Sequence, residues 1–501
     1  MGVYIEDLVA ALEAAGDRSV TRTELRDTTG TELRDTSGTE LRDTSGTALL
    51  GAVRRYARVL DGLGVGRGDL VALIAPNAPE ALAVRYAAHV IGAAAVYLSV
   101  PPDPERRART IAQFDPALLV LFPQTAHLLP PGVTVPLAAV GEVEGVDLRL
   151  DLRAAEESDA PLEVRARPED LAVVISSGGT TGVPKGSRRD FAAYTACLPV
   201  VRDPGRRQLA NGKLAYLTQI LVDQTIMGGG LVVFADRYEP LATLETVERE
   251  RITHLFLVEP QLFGLMDHPA VASHDLSSLR ALTHIGAMAA PVLRERARAK
   301  IGPVVMHTYG ASEIGIVSAL TPAEHDRPSR FWCAGHIAPG VEVRFRRADG
   351  TLDPRAGAIE VRSPAMAQGY RHRPVEEAEH FVDGWYRTGD LGELDAEDML
   401  CFVGRESDVD AFREVSPVAI QDTLCRRASV RYAVMVAGEH PVAAVEAWPD
   451  GKVDVDDCRA AVAEAYGTEL AEALRFLPVD TMPLTEQGKP NRPALRAAAG
   501  T

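Results

Sequence analysis

One glycine-rich stretch decides the fold: Ile175-Ser176-Ser177-Gly178-Gly179-Thr180-Thr181-Gly182-Val183-Pro184-Lys185-Gly186. The apolar, β-branched run at residues 171–175 leads into it and predicts a buried strand. The glycines permit backbone angles that turn successive N–H groups inward as an anion-binding nest. Two threonine hydroxyls and the Lys185 ammonium add donors, which favours a phosphate-binding loop. The alternative is a glycine-rich surface turn without a ligand.

This loop differs from the Walker P-loop. Pro184 stands directly before Lys185, and the order Gly-Lys-Ser/Thr is absent from the stretch. The candidate phosphate ligands are Ser177, Gly179, Thr180, Thr181, Gly182 and Lys185.

Strands alternate with helices on both sides of this loop. Apolar runs at residues 70–74, 96–100, 117–122, 231–234, 252–257 and 281–287 predict further buried strands, and helical spacing predicts helices at 49–63 and 79–89. Such alternation is typical of an α/β fold with largely parallel sheets. A region rich in Gly, Pro and β-branched residues, from about 335 to 403, predicts a small β-rich subdomain.

Two domains are therefore expected. Residues 1–403 would form a large N-terminal domain of parallel sheets and helices that includes the β-rich subdomain. Residues 404–501 would form a small, mobile α+β domain, with a helix from Val418, strands at 432–436 and 442–447, a helix at 458–466 and an extended tail.

A tandem repeat with a period of eight residues occupies positions 23–46. Its first copy reads Thr23-Glu24-Leu25-Arg26-Asp27-Thr28-Thr29-Gly30, and two near copies follow. Three polar copies are too few for a solenoid, which needs a continuous apolar face. We interpret them as an expansion that forms an exposed loop or a small hairpin before the first long helix.

Composition limits the classes of partner. A formal charge of −17 argues against a nucleic-acid partner and against an anionic membrane surface. The five scattered cysteines lack paired metal-ligand spacing and predict reduced thiols. Neither a secretory signal nor an apolar run of membrane-spanning length is visible. These features favour a cytoplasmic protein, and its oligomeric state stays open.

Four further motifs follow in the second half of the chain. They are Gly286-Ala287, His307-Thr308-Tyr309-Gly310-Ala311-Ser312-Glu313, Gly384-Trp385-Tyr386-Arg387-Thr388-Gly389-Asp390-Leu391-Gly392 with Gly404-Arg405, and Pro483-Leu484-Thr485-Glu486-Gln487-Gly488-Lys489-Pro490-Asn491-Arg492. Each motif alone has an ordinary structural explanation, such as a turn or a solvated side chain. Their order and separation, together with the loop at 177–186, resemble the adenylate-forming enzymes: acyl-CoA synthetases, adenylation domains of peptide synthetases and luciferases.

The resemblance implies a role for each motif in binding ATP. The Tyr309 ring would lie on adenine, beside the backbone of Gly286 and Ala287, and Gly310 belongs to the same turn. Ser312 would meet the α-phosphate and Glu313 would bind Mg²⁺, since a hard cation prefers a carboxylate. Asp390 would accept hydrogen bonds from the ribose hydroxyls, and Arg405 would contact ribose or phosphate.

The implied reaction begins with attack of a carboxylate oxygen on the α-phosphate of ATP. It yields an acyl-adenylate and pyrophosphate without a covalent enzyme intermediate, so catalysis consists of positioning and charge stabilisation. Lys489 would bridge the small-molecule carboxylic acid and the α-phosphate. The C-terminal domain would then rotate and admit the acceptor, which by family default is CoA or a carrier-protein thiol.

Two departures from the family pattern leave the acceptor open. CoA ligases usually continue with Ile-Lys-x-x-Gly after the Gly-Arg-x-x-Asp motif, but residues 409–417 lack that lysine and glycine. The usual Pro-x-x-His segment is replaced at 217–224, which changes the acid pocket expected near Asp223, residues 254–257 and residues 286–288. The alternative acceptor is an amine, as in amide-forming members associated with specialised metabolism.

Overall fold

The structure is a computed structural model that describes residues 2–25, 40–99, 101, 103–176, 185–286, 289–485 and 487–500. Six of the candidate site residues lie outside the described residues, namely Ser177, Gly179, Thr180, Thr181, Gly182 and Ala287. The predictions made for these six positions stay predictions.

Helices and strands alternate through most of the chain. The helices are α1 Tyr4–Ala15, α2 Gly46–Gly62, α3 Pro79–Val90, α4 Pro104–Phe114, α5 Leu150–Glu156, α6 Phe191–Ala196, α7 Gln219–Met227, α8 Pro240–Arg249, α9 Glu259–Met266, α10 Pro291–Ile301, α11 Pro374–His380, α12 Glu406–Val409, α13 Pro417–Cys425, α14 Val455–Tyr466, α15 Thr468–Ala473 and α16 Arg492–Ala499.

The strands follow in the same chain order. They are β1 Ser19–Leu25, β2 Glu40–Ser45, β3 Leu70–Ile74, β4 Ala94–Tyr97, β5 Leu118–Leu121, β6 Leu137–Ala139, β7 Leu171–Ser176, β8 Gly186–Asp190, β9 Arg207–Ala210, β10 Leu231–Phe234, β11 His254–Val258, β12 Ala281–Ile285, β13 Val305–Ala311, β14 Gly315–Leu320, β15 Cys333–Ile337, β16 Glu342–Arg346, β17 Leu352–Asp353, β18 Ala356–Arg362, β19 Phe381–Val382, β20 Trp385–Leu394, β21 Met399–Arg405, β22 Val430–Val436, β23 Val442–Ala447 and β24 Arg475–Val479.

The chain divides into two compact units. The first comprises residues 1–239, 245–256 and 364–378, and the second comprises residues 240–244, 257–363 and 379–501. The domain boundary predicted at 403/404 lies inside the second unit. It concerns movement of residues 404–501 as one body, and it stays a prediction.

A parallel sheet forms the centre of the first unit. Its strand order is β6-β5-β3-β4-β7-β8, and every neighbouring pair is parallel except β7 and β8. Apart from the polar edge strand β8, these strands are almost entirely apolar, because helices cover a parallel sheet on both faces. All five residues of β3 are buried, for example. A second set of strands in this unit, β9, β10 and β1, is also parallel, and β2 pairs antiparallel with β1.

The second unit combines parallel and antiparallel pairing. Strands β12 and β13 are parallel, and β13, β14, β15, β21, β20, β18 and β16 then pair antiparallel in that order. A separate three-stranded sheet, β22-β23-β24, lies in the C-terminal part of the chain. The predicted α/β class and the β-rich region before residue 403 are confirmed. The tail predicted to be extended contains β24 and the helix α16.

The described ends of the tandem repeat are paired strands. Residues 19–25 of β1 lie antiparallel to residues 40–45 of β2, with Leu25 opposite Glu40. Residues 26–39 lie outside the described residues. Ser45 then caps α2, because its hydroxyl accepts a hydrogen bond from the Ala48 N–H at 3.2 Å. The fourth, incomplete copy of the repeat therefore forms the first turn of α2.

The prediction that the cysteines are reduced thiols is wrong for one pair. Cys333 and Cys401 form a disulfide, and strand pairing places the two residues opposite each other on β15 and β21. Residues 68 positions apart in the sequence give no sign of this register. Asp395 lies beside them, but two sulfurs bonded to each other cannot both bind a metal ion. Cys197, Cys425 and Cys458 are free thiols.

Within the described ranges, no helix combines the length and the apolar character that crossing a bilayer requires.

A buried ion pair holds helices of the first unit together. Arg85 of α3 contacts Asp223 of α7, and both side chains are almost fully buried. The Asp223 carboxylate also accepts hydrogen bonds from the hydroxyls of Tyr86 at 2.6 Å and Tyr194 at 2.7 Å. Asp223 was expected near the acid pocket, but its carboxylate is committed to these three partners and has no exposed surface.

Replacement of Asp223 by Ala is expected to lower the free energy of unfolding by about 3–5 kcal/mol, because it leaves the Arg85 charge buried without a counter-ion. The measurement is urea-induced unfolding followed by circular dichroism. The control is Asp61→Ala, which breaks the exposed pair with Arg165 and should cost less than about 1 kcal/mol. Equal effects of the two substitutions would contradict the structural role given to Asp223.

Candidate active site

A tight hairpin positions the residues of the Tyr-Gly-x-Ser-Glu motif. Strand β13 ends at Ala311, the turn occupies residues 312–314, and β14 begins at Gly315. A side chain at Gly310 would collide with the backbone of Gly315, so this glycine is required by the hairpin itself. The Ser312 hydroxyl donates a hydrogen bond to Glu313 Oε2 at 2.9 Å. The turn therefore holds a hydroxyl and a carboxylate side by side.

Asp390 links this hairpin to strands β20 and β21. The Tyr309 hydroxyl donates a hydrogen bond to Asp390 Oδ2 at 2.7 Å. Asp390 on β20 lies opposite Arg405 on β21, and Arg405 Nε is 3.4 Å from Asp390 Oδ1. Oδ1 is buried and has no hydrogen-bond partner among the described residues. One carboxylate oxygen is thus occupied by Tyr309, and the other can accept a hydrogen bond from a ligand.

Burial and the neighbouring charges act on Asp390 in opposite directions. Burial raises the pKa of this carboxyl above its ordinary value, while Arg405 and the Tyr309 hydroxyl lower it. Burial and the Asp390 charge together raise the pKa of Tyr309 well above 10.0. Tyr309 is therefore a neutral hydrogen-bond donor throughout the physiological pH range.

A turn near the C-terminus positions Lys489. The Thr485 N–H donates to the Lys489 carbonyl at 2.7 Å, and the Gly488 N–H donates to the Thr485 carbonyl at 2.9 Å. Gly488 has a φ of +76° and faces α9: a Cβ there would lie 3.0 Å from Gln261 Nε2 and 3.1 Å from Val258 Cγ2. Only glycine satisfies both the backbone angle and the close approach.

Lys489 lies directly against Gly286. A Cβ at position 286 would be 2.9 Å from Lys489 Cε and 3.4 Å from Nζ, and Gly286 has a φ of +98°. Burial lowers the pKa of Lys489, and so does the Arg405 charge, whereas Glu313 and Asp390 raise it. The structure thus brings together four charged candidates that are separated by up to 176 positions in the sequence, Glu313, Asp390, Arg405 and Lys489.

Two histidines beneath this region were missed by sequence reasoning. His284 of β12 lies beside His307 of β13, with the rings stacked at 4.9 Å and their Nδ1 atoms 2.7 Å apart. Burial lowers the pKa of His284 to about 3 and places that of His307 well below 6.5. Both rings are therefore neutral. His284 precedes Gly286 by two positions, and His307 precedes Tyr309 by two positions. The only sequence signal for their burial is the alternation of side chains along a strand.

Lys185 lies in the first unit and directly follows residues 177–184, the part of the glycine-rich loop that lies outside the described residues. Strands β7 and β8 pair antiparallel, and Ser176 lies opposite Gly186 at their open end. Lys185 Nζ is 5.1 Å from the centre of the Tyr370 ring. Gly186 is required by packing, because a side chain there would collide with Phe114 and Val174. The predicted strand before the loop is confirmed.

The first unit also contains a cavity of about 280 Å³. It lies at the carboxyl ends of β3 and β4, where ligands of parallel sheets commonly bind. Its lining residues include Ile74, Asn77, Tyr97, Leu98 and Leu214. The residues expected to line the acid pocket, at 254–257 and 286, are not among those that line this cavity.

The donor set fits magnesium that is bound mainly through nucleotide phosphates. Mg²⁺ commonly uses one or two carboxylates and completes its shell with phosphate oxygens and water. Glu313 offers one such carboxylate, 6% exposed, next to the Ser312 hydroxyl. In the part of the chain that the structure describes, Glu313 belongs to no cluster of three metal-ligating side chains, so an all-protein metal cage is not built around it.

Comparisons with known proteins show the family to which this chain is related. The profile of the AMP-binding enzyme family matches residues 26–371. The medium/long-chain-fatty-acid–CoA ligase FadD8 of Mycobacterium tuberculosis is 28% identical over 484 residues, which cover 89% of this chain and 84% of that protein. A feruloyl-CoA synthase of Amycolatopsis is 27% identical over 457 residues, covering 87% of this chain and 90% of the other.

The structure is similar to that of the amide bond synthetase McbA from Marinactinospora thermotolerans. The TM-score is 0.84 and the identity is 30%, over 99% of both chains. Fold and relatives together define an adenylate-forming ligase. The chain belongs to the AMP-binding enzyme family.

The pH dependence of adenylate formation is expected to report the Lys489 ammonium. An ordinary lysine has a pKa of 10.5, and burial lowers that of Lys489. The ammonium is present below this lowered pKa and is lost as the pH rises through it. We therefore expect kcat/KM for ATP to fall on the alkaline side before pH 10.5, as measured by pyrophosphate release. The alkaline decline should be absent from the residual activity of Lys489→Ala, and its persistence there would contradict the assignment.

Tyr309→Phe is expected to raise the KM for ATP by about tenfold, because Asp390 loses the hydroxyl that occupies and orients Oδ2. The aromatic ring is retained, so kcat should change much less. Steady-state kinetics of pyrophosphate release measure both constants. Tyr466→Phe is the matched control, since its hydroxyl bonds Ala419 O at 2.9 Å within the C-terminal helices. An unchanged KM for ATP in Tyr309→Phe would show that Asp390 does not depend on this bond.

Proposed function

We propose that this chain is an amide bond synthetase. It activates a carboxylic acid with ATP and transfers the acyl group from the adenylate to an amine. In the first half-reaction, a carboxylate oxygen attacks the α-phosphorus and pyrophosphate leaves. In the second, the amine nitrogen attacks the acyl carbon, the bond from that carbon to the phosphate oxygen breaks, and AMP leaves with the electron pair. The amine proton passes to solvent.

Asp390 and its neighbours would bind the nucleoside part of ATP. The free Oδ1 of Asp390 accepts a ribose hydroxyl, while Tyr309 holds Oδ2 and presents its ring to the base. Arg405, which pairs with Asp390, is more than half exposed and would contact ribose or phosphate. Gly286 and Ala287 would border the adenine edge. This assignment is supported by three hydrogen-bonding groups that β13, β20 and β21 bring together, and by one buried carboxylate oxygen that lacks a hydrogen bond among the described residues, which a ligand would supply.

Lys489 and Glu313 would act on the reacting phosphate. The Lys489 ammonium orients the acid carboxylate toward the α-phosphate and offsets the charge that develops there. Glu313 would hold Mg²⁺, which supplies charge neutralisation to the phosphates when bound. Ser312 would donate to the α-phosphate. Lys185 and the loop at 177–182 would hold the β- and γ-phosphates.

The segment after Arg405 supports an amine as the acceptor. Residues 406–414 read Glu-Ser-Asp-Val-Asp-Ala-Phe-Arg-Glu and contain four acidic residues and one basic residue. Arg413 and Glu414 both have left-handed backbone, with φ of 53° and 66°. A non-glycine residue rarely adopts this conformation without a surrounding structure that imposes it. An acidic segment repels the phosphates of CoA and attracts the ammonium form of an amine, which must release a proton to solvent before its nitrogen can attack the acyl carbon.

The similarity to an amide bond synthetase over 99% of both chains supports the same choice of acceptor. CoA remains the second candidate, because the curated relatives are named as CoA ligases. A carrier-protein thiol is a further family option. For the acid, an aryl or heteroaryl carboxylate is our preference, and the name of the feruloyl-CoA synthase is compatible with it.

Residues 404–501 would move between the two half-reactions. In the structure Lys489 lies against Gly286, and in this proposal that arrangement serves the adenylation step. Rotation about residues 406–408 would withdraw Lys489 and open the acyl-adenylate to the amine.

The test separates the two half-reactions. Exchange of labelled pyrophosphate into ATP, screened over a panel of aryl and aliphatic acids, should identify the acid. Lys489→Ala should reduce exchange by about 100-fold or more. Acyl-adenylate made by chemical synthesis is then offered to the enzyme with a panel of amines or with CoA. We expect amide to form much faster than thioester. Efficient thioester formation with CoA, and none of the amines reacting above background, would overturn the amine assignment and favour the CoA ligase.

A further inference from the structure

Helix α10 begins without a cap of its own. Ala290 occupies the N-cap position and has no side chain that can accept a hydrogen bond from the first turn. The Val292 N–H instead donates to Asp422 Oδ1 at 2.7 Å. Asp422 lies on α13, 130 positions further along the chain. A residue of the C-terminal region therefore caps a helix that precedes residue 404.

The Asp422 carboxylate is held firmly in this position. It is 7% exposed, and Oδ2 accepts a hydrogen bond from Arg426 Nε at 2.8 Å. Arg426 also reaches Glu295 of α10, with Nη2 3.2 Å from Oε1. A carboxylate at a helix N-terminus is stabilised by the N–H groups that have no partner within the helix and by the helix dipole.

Gln421, the neighbour of Asp422 on α13, makes a second polar contact with a segment that precedes residue 404. Gln421 Nε2 donates to Glu259 Oε1 at 2.9 Å and to the Ala433 carbonyl at 2.8 Å. Glu259 directly follows Val258, which faces Gly488. Gly286, which faces Lys489, lies four positions before Ala290. The two segments that touch the Lys489 turn are thus the two that α13 contacts through Gln421 and Asp422.

We infer that Asp422 is a positioning residue for adenylation: by capping α10, it holds the C-terminal region in the orientation that places Lys489 at Gly286. This inference rests on the proposed function for its catalytic consequence. Its structural consequence, the placement of Lys489, can be measured without catalysis.

Replacement of Asp422 is predicted to slow the first half-reaction and to leave the second nearly unchanged. Asp422→Ala should lower pyrophosphate exchange by about five- to tenfold, the change in equilibrium that the loss of one helix-capping bond produces. Transfer from synthetic acyl-adenylate to an amine should stay within about twofold of wild type, because that step does not use Lys489. Asp422→Asn keeps a capping oxygen and should restore exchange, since Asn and Asp cap about equally well.

A double-mutant cycle distinguishes positioning from general loss of structure. If Asp422 acts through Lys489, Asp422→Ala should have no further effect on exchange in the Lys489→Ala background. A purely structural role would reduce both half-reactions and would add to the Lys489→Ala defect. Asp456→Ala, at an exposed position of α14, is the matched control and should change neither half-reaction.

The non-catalytic measurement is the rate at which an amine-reactive reagent labels Lys489 in the full-length protein, followed by mass spectrometry. Partial burial should protect Lys489 in the wild type, and labelling should accelerate about fivefold in Asp422→Ala but not in Asp422→Asn or Asp456→Ala. If Asp422→Ala does not fold, Arg426→Ala should give a smaller change of the same sign. Unchanged labelling together with parallel losses in both half-reactions would overturn the inference. Changed labelling without detectable exchange for any acid would instead overturn the proposed function alone.

Discussion

The site depends on the absence of a side chain at position 286. Lys489 fills the space that a Cβ would occupy, and the positive φ of Gly286 is a conformation that residues with side chains rarely adopt. Gly488, one position before the lysine, is under the same two constraints against Val258 and Gln261. Two glycines from distant parts of the chain therefore determine how closely the turn at 485–489 approaches the strands of the candidate site. The position of the Lys489 ammonium follows from that approach.

Burial then determines the electrostatics around the ammonium. It raises the pKa of Asp390 and lowers that of Lys489, since in each case the charged form loses hydration. The charges also moderate one another, because Arg405 lowers the pKa of Asp390 while Glu313 raises that of Lys489. A nucleotide brings several negative charges to such a site. Cationic Lys489 and Arg405 are the groups that would offset them, and the neutral histidine pair beneath the site adds no competing charge.

The same chain uses a buried ion pair for a different purpose in the first unit. Arg85 and Asp223 are almost fully buried, and the tyrosine hydroxyls around them complete the hydrogen bonding of the carboxylate. Such a network tolerates loss of one partner poorly, because the remaining charge cannot regain water. It anchors α7, the helix that contains most of the segment at 217–224 where the chain departs from the family pattern. The segment that departs from the family pattern is therefore held by specific buried polar contacts.

The sequence by itself determined the α/β class and the strand before the glycine-rich loop, and it supplied the candidate site residues. These follow from local features: apolar periodicity, a glycine-rich stretch after a strand, and motifs in a family order. Other features needed the tertiary structure, because they depend on contacts between residues far apart in the chain. Strand register pairs Cys333 with Cys401 and His284 with His307, and helix packing brings Asp422 to the uncapped start of α10. No local pattern marks these partners, since each side chain is ordinary until the fold places the other beside it.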